Sequence, residues 1–372
     1  MRILFWTDWF LPSIGGVEVF SARLLPALAR RGHRITVVAG HDRAGLPDET
    51  DFLGVTVHRF RFHQELAAKD IGRLAETIGC VARLKQAVAP EVIHLNTLGP
   101  SVLFQLQSST RRSVPVLLTL HSPLAAELVG AGTLYGRALR SARWVNCNSR
   151  ALRADLVCHL PEMERRSSVV YYGMEPPALP PMPRPTRDPV VLGYGRLVAD
   201  KGFDLAVRAF TAVQRRFPSA RLVLAGEGEA RPDLERLAAE CGVANAVRFV
   251  GAVPPENVPA LINTSSLVVV PSRWDEPFGL VALEAALMAR PVIAARAGGL
   301  VEAVEHGVTG LLVDKESPVQ LAEAVIRLLG DPVAADRMGA AGRSRARELF
   351  DWERCVDEYE RLLQRTLSRE DQ

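Results

Sequence analysis

Short apolar runs alternate with amphipathic stretches along almost the whole chain, and a single proline-dense segment interrupts them. That segment, Pro176-Pro177-Ala178-Leu179-Pro180-Pro181-Met182-Pro183-Arg184-Pro185, can be neither helix nor central strand, because proline fixes φ and has no amide hydrogen to donate. The chain must therefore fold as two blocks joined by a stiff linker. Before it, Ile3–Trp6, Arg34–Val38, Val55–Phe60, Val92–Leu95, Val116–Leu120, Trp144–Cys147 and Val169–Tyr172 read as strands, with helical periods at Val17–Arg30, Ile71–Val88 and Ala151–Leu160. After it, strands read at Val190–Tyr194, Arg221–Ala225, Val247–Val250, Leu267–Val270, Pro291–Ala294 and Gly310–Val313. Helices read at Gly202–Arg215, Pro232–Glu240, Asn257–Thr264, Gly279–Met288, Pro318–Leu329 and Ala334–Leu349. Strand–helix alternation predicts parallel sheets covered by helices on both faces. The expected fold class is α/β, with two doubly wound, Rossmann-like domains facing across a cleft. Their expected bounds are 1–175 and 189–350, with the linker over 176–188 and a last helix over 351–372, for which a crossing back to the first domain is one reading.

Composition narrows the function classes. Forty-five basic and 42 acidic residues leave a net charge of +3 over 372 residues, too weak a field for a nucleic-acid binder. Basic charge is almost wholly arginine, with lysine only at 69, 85, 201 and 315. Codon bias explains most of that, yet it makes Lys201 conspicuous as a point charge. Five scattered cysteines form neither a Cys-x-x-Cys nor a Cys/His cluster, which points to a reducing cytoplasm rather than a disulfide framework or a zinc site. No segment reaches the roughly 18 apolar residues of a membrane span, so the expected setting is the cytoplasm or the inner face of the membrane.

Several loops carry chemistry. Gly15-Gly16 follows the first strand and opens a helix, where amides can approach a ligand closely. No Gly-x-Gly-x-x-Gly occurs there or elsewhere, since Gly193-Tyr194-Gly195 and Gly226-Glu227-Gly228 lack the third glycine, which argues against a nicotinamide or flavin cofactor. Arg196 and Lys201 stand in the same strand-to-helix position of the second block, suited to a forked and a point contact with phosphate. Pro271–Ala285 holds Glu276 and Glu284 eight positions apart, one before the helix opened by Gly279 and one on its second turn. Amides at Phe278, Gly279 and Leu280 could seat a phosphate while the carboxylates accept hydroxyl hydrogen bonds. Glu284 also interrupts an apolar run, where a carboxylate requires a partner. Gly298-Gly299-Leu300 opens a further helix and reads equally as a tight turn or as a pocket wall.

In this order these features resemble the retaining, nucleotide-sugar-dependent glycosyltransferases of family 4, which have the GT-B fold. Arg31-Gly32-His33 and Phe350-Asp351-Trp352-Glu353 extend the resemblance to about residue 365. It implies that Gly15 and Gly16 lie beside the donor phosphate and sugar, that Arg196 and Lys201 bind the diphosphate, and that Glu276 holds the transferred sugar with Phe278, Gly279 and Leu280 beside it. Glu284 would bind the ribose, and His121 would stand near the reacting sugar. Catalytic roles are thus implied for His121, Arg196, Lys201 and Glu276, with no metal and no cofactor beyond the nucleoside diphosphate sugar, UDP being the commonest. The chain departs from the pattern at Tyr172-Gly173, where Asn-Gly is usual, and at Ala289-Arg290, where a glycine usually precedes Pro291.

Competing readings are an epimerase or phosphorylase on the same fold, or a nucleotide-sugar-binding subunit without turnover. The acceptor (a glycan, lipid, cyclitol or small metabolite) would bind the first domain, whose loops carry Trp6, Trp9, Phe10 and the stretch His58–Asp70. That stretch reads either as a solvated strand end or as a peripheral contact with anionic lipid.

Overall fold

The computed structural model describes residues 1–13, 15–41, 45–108 and 113–368. The chain divides into two units. One comprises Met1–Tyr172 with the segment from Glu353 onward, and the other Gly173–Trp352.

The first unit holds eight strands: β1 (Arg2–Thr7), β2 (Arg34–Gly40), β3 (Glu49–Phe52), β4 (Val55–Phe60), β5 (Val92–Leu95), β6 (Val116–Leu120), β7 (Trp144–Cys147) and β8 (Ser167–Val169), in the order β3-β4-β2-β1-β5-β6-β7-β8. β5, β6 and β7 are buried at every position, as strands covered on both faces must be. Three expectations are corrected here. β3 was not foreseen, because its sequence is polar; it pairs antiparallel with β4 at the sheet edge through a turn at Leu53 and Gly54, both at positive φ (54° and 83°), the geometry that matches strand twist in a tight hairpin. The run expected as a strand over Val169–Tyr172 ladders earlier, since Val169 opposite Cys147 is the last pair that β7 offers. The stretch for which one reading was a solvated strand end continues past β4 as a helix, Phe62–Ala68. It buries Phe62 and Glu65, and Arg73 holds the Glu65 carboxylate at 2.8 Å.

The helix Trp352–Leu367 belongs, from Glu353, to this first unit. Arg31 binds Glu353, Asp357 and Glu360 at 2.9, 2.5 and 3.0 Å, Tyr359 is fully buried, and Arg143 donates to the Thr366 carbonyl near the helix end. A cation at that end complements the helix dipole.

The second unit holds β9 (Val190–Tyr194), β10 (Arg221–Ala225), β11 (Val247–Phe249), β12 (Leu267–Val270), β13 (Val292–Ala295) and β14 (Gly310–Val313), all parallel in the order β11-β10-β9-β12-β13-β14. The order reverses between β9 and β12. Their following loops diverge to opposite faces, which leaves a crevice at their carboxyl ends.

The proline-rich segment does not run free of this unit. Asn263 accepts from the Met182 amide at 3.0 Å and donates to the Pro180 carbonyl, Ser266 donates to Pro185, and Arg184 binds Asp336 at 2.9 Å. Arg290 is the buried anchor. Its guanidinium donates to the carbonyls of Ser265, Met288, Met182 and Asn263 at 2.7–3.1 Å. Burial, with Arg184 nearby, lowers its pKa to about 10, so it remains charged at neutral pH. Ala289, just before it, has φ +52°, the left-handed region in which glycine is at ease and alanine is strained.

Two outcomes follow for thermal melting of the second unit. Ala289→Gly should stabilise it by about 0.5–1 kcal/mol, because relief of the left-handed strain exceeds the entropy added to the unfolded chain. Arg290→Met should cost about 3 kcal/mol or more, since it orphans several buried carbonyls.

Candidate active site

The crevice between β9 and β12 is lined by two loops that are tied together. The carbonyl of Asp200, in the loop after β9, accepts from the Arg273 amide at 2.8 Å and from Ser272 Oγ at 3.1 Å in the loop after β12. The Arg273 guanidinium donates to the Ala199 carbonyl at 3.0 Å and forks onto both Asp204 oxygens at 2.6 and 2.7 Å. It also binds Glu316 at 2.6 Å. Burial alone would raise the Asp204 pKa, but the Arg273 hydrogen bonds and charge outweigh it and hold the carboxyl below its ordinary range. Gly202 seals the join: a Cβ there would lie 2.1 Å from the Pro271 carbonyl oxygen.

Two helices start inside this frame, Phe203–Arg216 behind Gly202 and Leu280–Leu287 behind Gly279. Both glycines are left-handed (φ +65° and +99°), and neither helix start has a side-chain cap. Uncapped starts present amides and positive dipole ends suited to an anion. Between them lies an ion pair. Lys201 Nζ is 2.5 Å from Glu276 Oε1, which also accepts from Ser272 Oγ at 2.9 Å. Oε2 of Glu276 makes no hydrogen bond among the described residues. Glu276 is 8% exposed, so this is a carboxylate seated in the protein. Arg196 is exposed and makes no ion pair among the described residues. Leu280 is half-buried at the first helical position.

Other sequence-predicted residues land differently. Phe278 turns its ring into the core, edge-on to Phe350, so only its backbone can serve a ligand. Glu284 is half-buried, and the partner that its apolar run demands is a protein group: Tyr194 Oη lies 2.8 Å from Oε2. Burial and that negative charge push the Tyr194 pKa well up. The pair Gly298-Gly299 presses against the Glu276 loop, with the Gly299 amide donating to the Glu276 carbonyl at 2.6 Å. Sequence reasoning missed Tyr194, Ser272, Arg273 and Asp204. Tyr194 was passed over in a failed cofactor fingerprint, and Arg273 was lost among many arginines.

Gly15, Gly16 and His121 belong to the first unit. Gly15 caps the helix Gly16–Arg30 in an extended conformation, and a Cβ there would meet the Glu18 carboxylate at 2.3 Å. Glu18 is thus folded back on its own helix start, and burial raises its pKa. His121 follows β6 with both ring nitrogens engaged: Nε2 lies 3.1 Å from Asn96 Oδ1 and Nδ1 is 2.5 Å from Tyr172 Oη. Burial lowers its pKa to about 3. Trp6 and Phe10 are core residues, 0% and 4% exposed, which removes them as acceptor contacts. Trp9 is exposed and stacks on His63 at 4.8 Å, beside the buried Asp8, which accepts from the Ser101 amide and Thr97 Oγ1. Arg59 donates to the Leu11 carbonyl and fixes the same loop.

Two family descriptions cover most of the chain. "Glycosyl transferases group 1" matches residues 179–345 and "Glycosyltransferase Family 4" residues 14–176. A glycogen synthase of Mycobacterium tuberculosis is 31% identical over 386 residues, spanning 95% of this chain and 92% of that protein. The chain belongs to this glycosyltransferase family. A D-inositol 3-phosphate glycosyltransferase of Acidothermus cellulolyticus is likewise 31% identical, over 92% of this chain and 84% of its own length. Among solved structures, Anabaena HepE in complex with UDP and glucose superposes with TM-score 0.78 at 23% identity, covering 98% of this chain and 99% of that one. The α/β fold is that of the GT-B glycosyltransferases, and the activity is glycosyl transfer from a nucleotide-sugar donor. No helix among the described residues is long and apolar enough to cross a membrane.

The glycine pair offers a direct test of the frame. A Cβ at Gly299 would sit 2.5 Å from the Pro277 carbonyl oxygen and 2.7 Å from Phe278 Cα. Gly299→Ala should therefore push the Glu276 loop outward, lower the stability of the second unit by about 1–3 kcal/mol, and weaken nucleoside diphosphate binding in a calorimetric titration. Exposed Val301→Ala, two positions on, should change neither beyond about 0.5 kcal/mol.

Proposed function

We propose that the protein is a retaining hexosyltransferase that moves a sugar from a nucleoside diphosphate sugar, UDP-linked in the first instance, to a hydroxyl of its acceptor. The carrying observation is the group at the β9–β12 crevice: Lys201 and Glu276 in contact, beneath two uncapped helix starts. As the glycosidic bond breaks, the leaving diphosphate gains negative charge. Arg196, Lys201 and the Gly279 and Leu280 amides stabilise that charge, and they do so most in the transition state. Glu276 uses Oε2 to accept from hydroxyls of the transferred sugar, with Phe278 contributing backbone alone. Glu284, oriented by Tyr194, accepts from the ribose hydroxyls. Gly15 and Gly16 supply the close backbone approach at the donor phosphate and sugar, and His121 stands by the reacting sugar.

Retention is taken from the resemblance to the retaining glycosyltransferases of family 4. The acceptor attacks on the face the diphosphate leaves, and a phosphate oxygen of the donor takes the acceptor's proton. UDP is favoured because a structural relative binds UDP and glucose. The acceptor is a polyol or glycan seated on the first unit, where Trp9 gives an exposed aromatic face suited to a sugar ring. Five free cysteines support a reducing, cytoplasmic setting.

Titration with UDP, GDP and ADP, followed by turnover of the matching sugars, tests the reading. One nucleotide should bind saturably, and Lys201→Ala should lower kcat about 100-fold or more while the melting profile stays near wild type. Glu284→Ala should instead raise the donor KM. Near-wild-type kcat in Lys201→Ala, or turnover without any acceptor, would remove the proposal.

A further inference from the structure

His121 lies in a run of hydrogen bonds that all point the same way. Asn96 donates its Nδ2–H to Ser21 Oγ at 3.1 Å, which turns Oδ1 towards His121 Nε2. An amide oxygen can only accept, so Nε2 carries the ring proton. On the other side Tyr172 Oη meets Nδ1, and Asn148 hydrogen-bonds the same hydroxyl and holds the Tyr172 pKa down against the larger effect of burial. With Asn148 donating to its oxygen, the Tyr172 hydroxyl has its own proton left for Nδ1. The ring planes of His121 and Tyr172 are 6° apart with centroids at 5.8 Å, so packing fixes the imidazole plane as well.

We propose that Tyr172 is a positioning residue which, together with Asn96, locks His121 as the neutral Nε2–H tautomer and makes it a fixed, uncharged wall of the reacting-sugar site. The inference rests on the proposed function for the location of the sugar. It goes further in denying His121 any part in proton transfer, since neither nitrogen is open to a substrate. Positive charge grows on the sugar as the glycosidic bond breaks. An imidazolium beside it would oppose that charge, whereas a locked neutral ring does not. His94, on β5, is itself buried with its pKa lowered to about 3. Glu18, on the first helix, bears electrostatically on Tyr172, as does Cys355 on the C-terminal helix.

The experiment is nitrogen-15 NMR of the histidine rings in the full chain, with His121→Gln used to assign the signal. Wild type, Tyr172→Phe and Asn96→Asp are compared between about pH 5 and 9, beside kcat and KM for UDP-glucose consumption. Wild-type His121 should remain the Nε2–H form throughout without titrating. Tyr172→Phe should shift its Nδ1 signal and lower kcat about 10- to 100-fold with the donor KM little changed, as misplacement of a group at the reacting centre does. Asn96→Asp sets a carboxylate on Nε2–H and should raise the ring's pKa, so that kcat acquires an acid limb that wild type lacks. A wild-type ring that titrates in this range, or rests as Nδ1–H, overturns the lock, as does a Tyr172→Phe protein with unchanged Nδ1 signal and kcat. If no nucleoside diphosphate sugar is consumed, the proposed function falls, while the ring's tautomer and titration still decide the lock.

Discussion

The second unit is built around the reversal of strand order between β9 and β12. Parallel strands send their chains out at one edge, and only at a reversal do neighbouring loops part and leave room for a ligand. That room would be loose if the loops were independent. The Asp200 carbonyl and the Arg273 guanidinium prevent it by joining the segment after β9 to the loop after β12 through five short hydrogen bonds, and Arg273 also binds Glu316 beyond β14. Two helices then start beside this crevice without a side-chain cap. Lys201 adds a charge there, and Glu276 balances it.

The first unit solves a different problem, the burial of polar side chains in a sheet covered on both faces. His94, Asn96, Thr119, Asn146 and Asn148 lie within 1% of complete burial, where an unmatched donor or acceptor is costly. They are matched to one another and to two tyrosines from distant parts of the sequence, Tyr172 and Tyr359. Tyr359 comes from the C-terminal helix, and the carboxylates around Arg31 hold that helix in place. His94 Nδ1 and Asn148 Oδ1 stay without a hydrogen bond among the described residues, but the contacts that are made leave the network few arrangements. Orientation of His121 is thus an outcome of how the whole unit folds, down to its last helix.

Periodicity made the fold legible. Every strand of the second unit and nearly all of the first stand out as apolar runs, because parallel strands buried on both faces cannot hide their composition. What failed did so for stated physical reasons. β3 is polar and solvent-facing, so its only signal was a turn whose first residue, Leu53, is not a turn former. The helix Phe62–Ala68 has a single turn's worth of burial, too little to show a period. Within the site, Lys201 and Glu276 could be picked out because rare or costly residue types mark themselves. Glu284 was judged correctly to need a partner, but sequence could not say that Tyr194, ninety positions away, supplies one. Trp6 and Phe10 misled because aromatic content in a loop-flanking segment says nothing about which way a ring points.

Two long side chains, Tyr172 and Arg290, each reach a group that a short side chain at the same place could not. Tyr172 carries a hydroxyl to His121. Arg290 carries a guanidinium to the carbonyls of the proline segment and of Met288, at the end of the helix that bears Glu284, while Ala289 accepts a left-handed backbone to let it do so. A backbone conformation unfavourable to alanine persists only where surrounding contacts over-determine it, and four carbonyl contacts from one buried arginine meet that condition. Both side chains thus fix neighbouring groups within the unit that each belongs to: Tyr172 holds the His121 ring, and Arg290 ties the end of the helix Leu280–Leu287 to the proline segment.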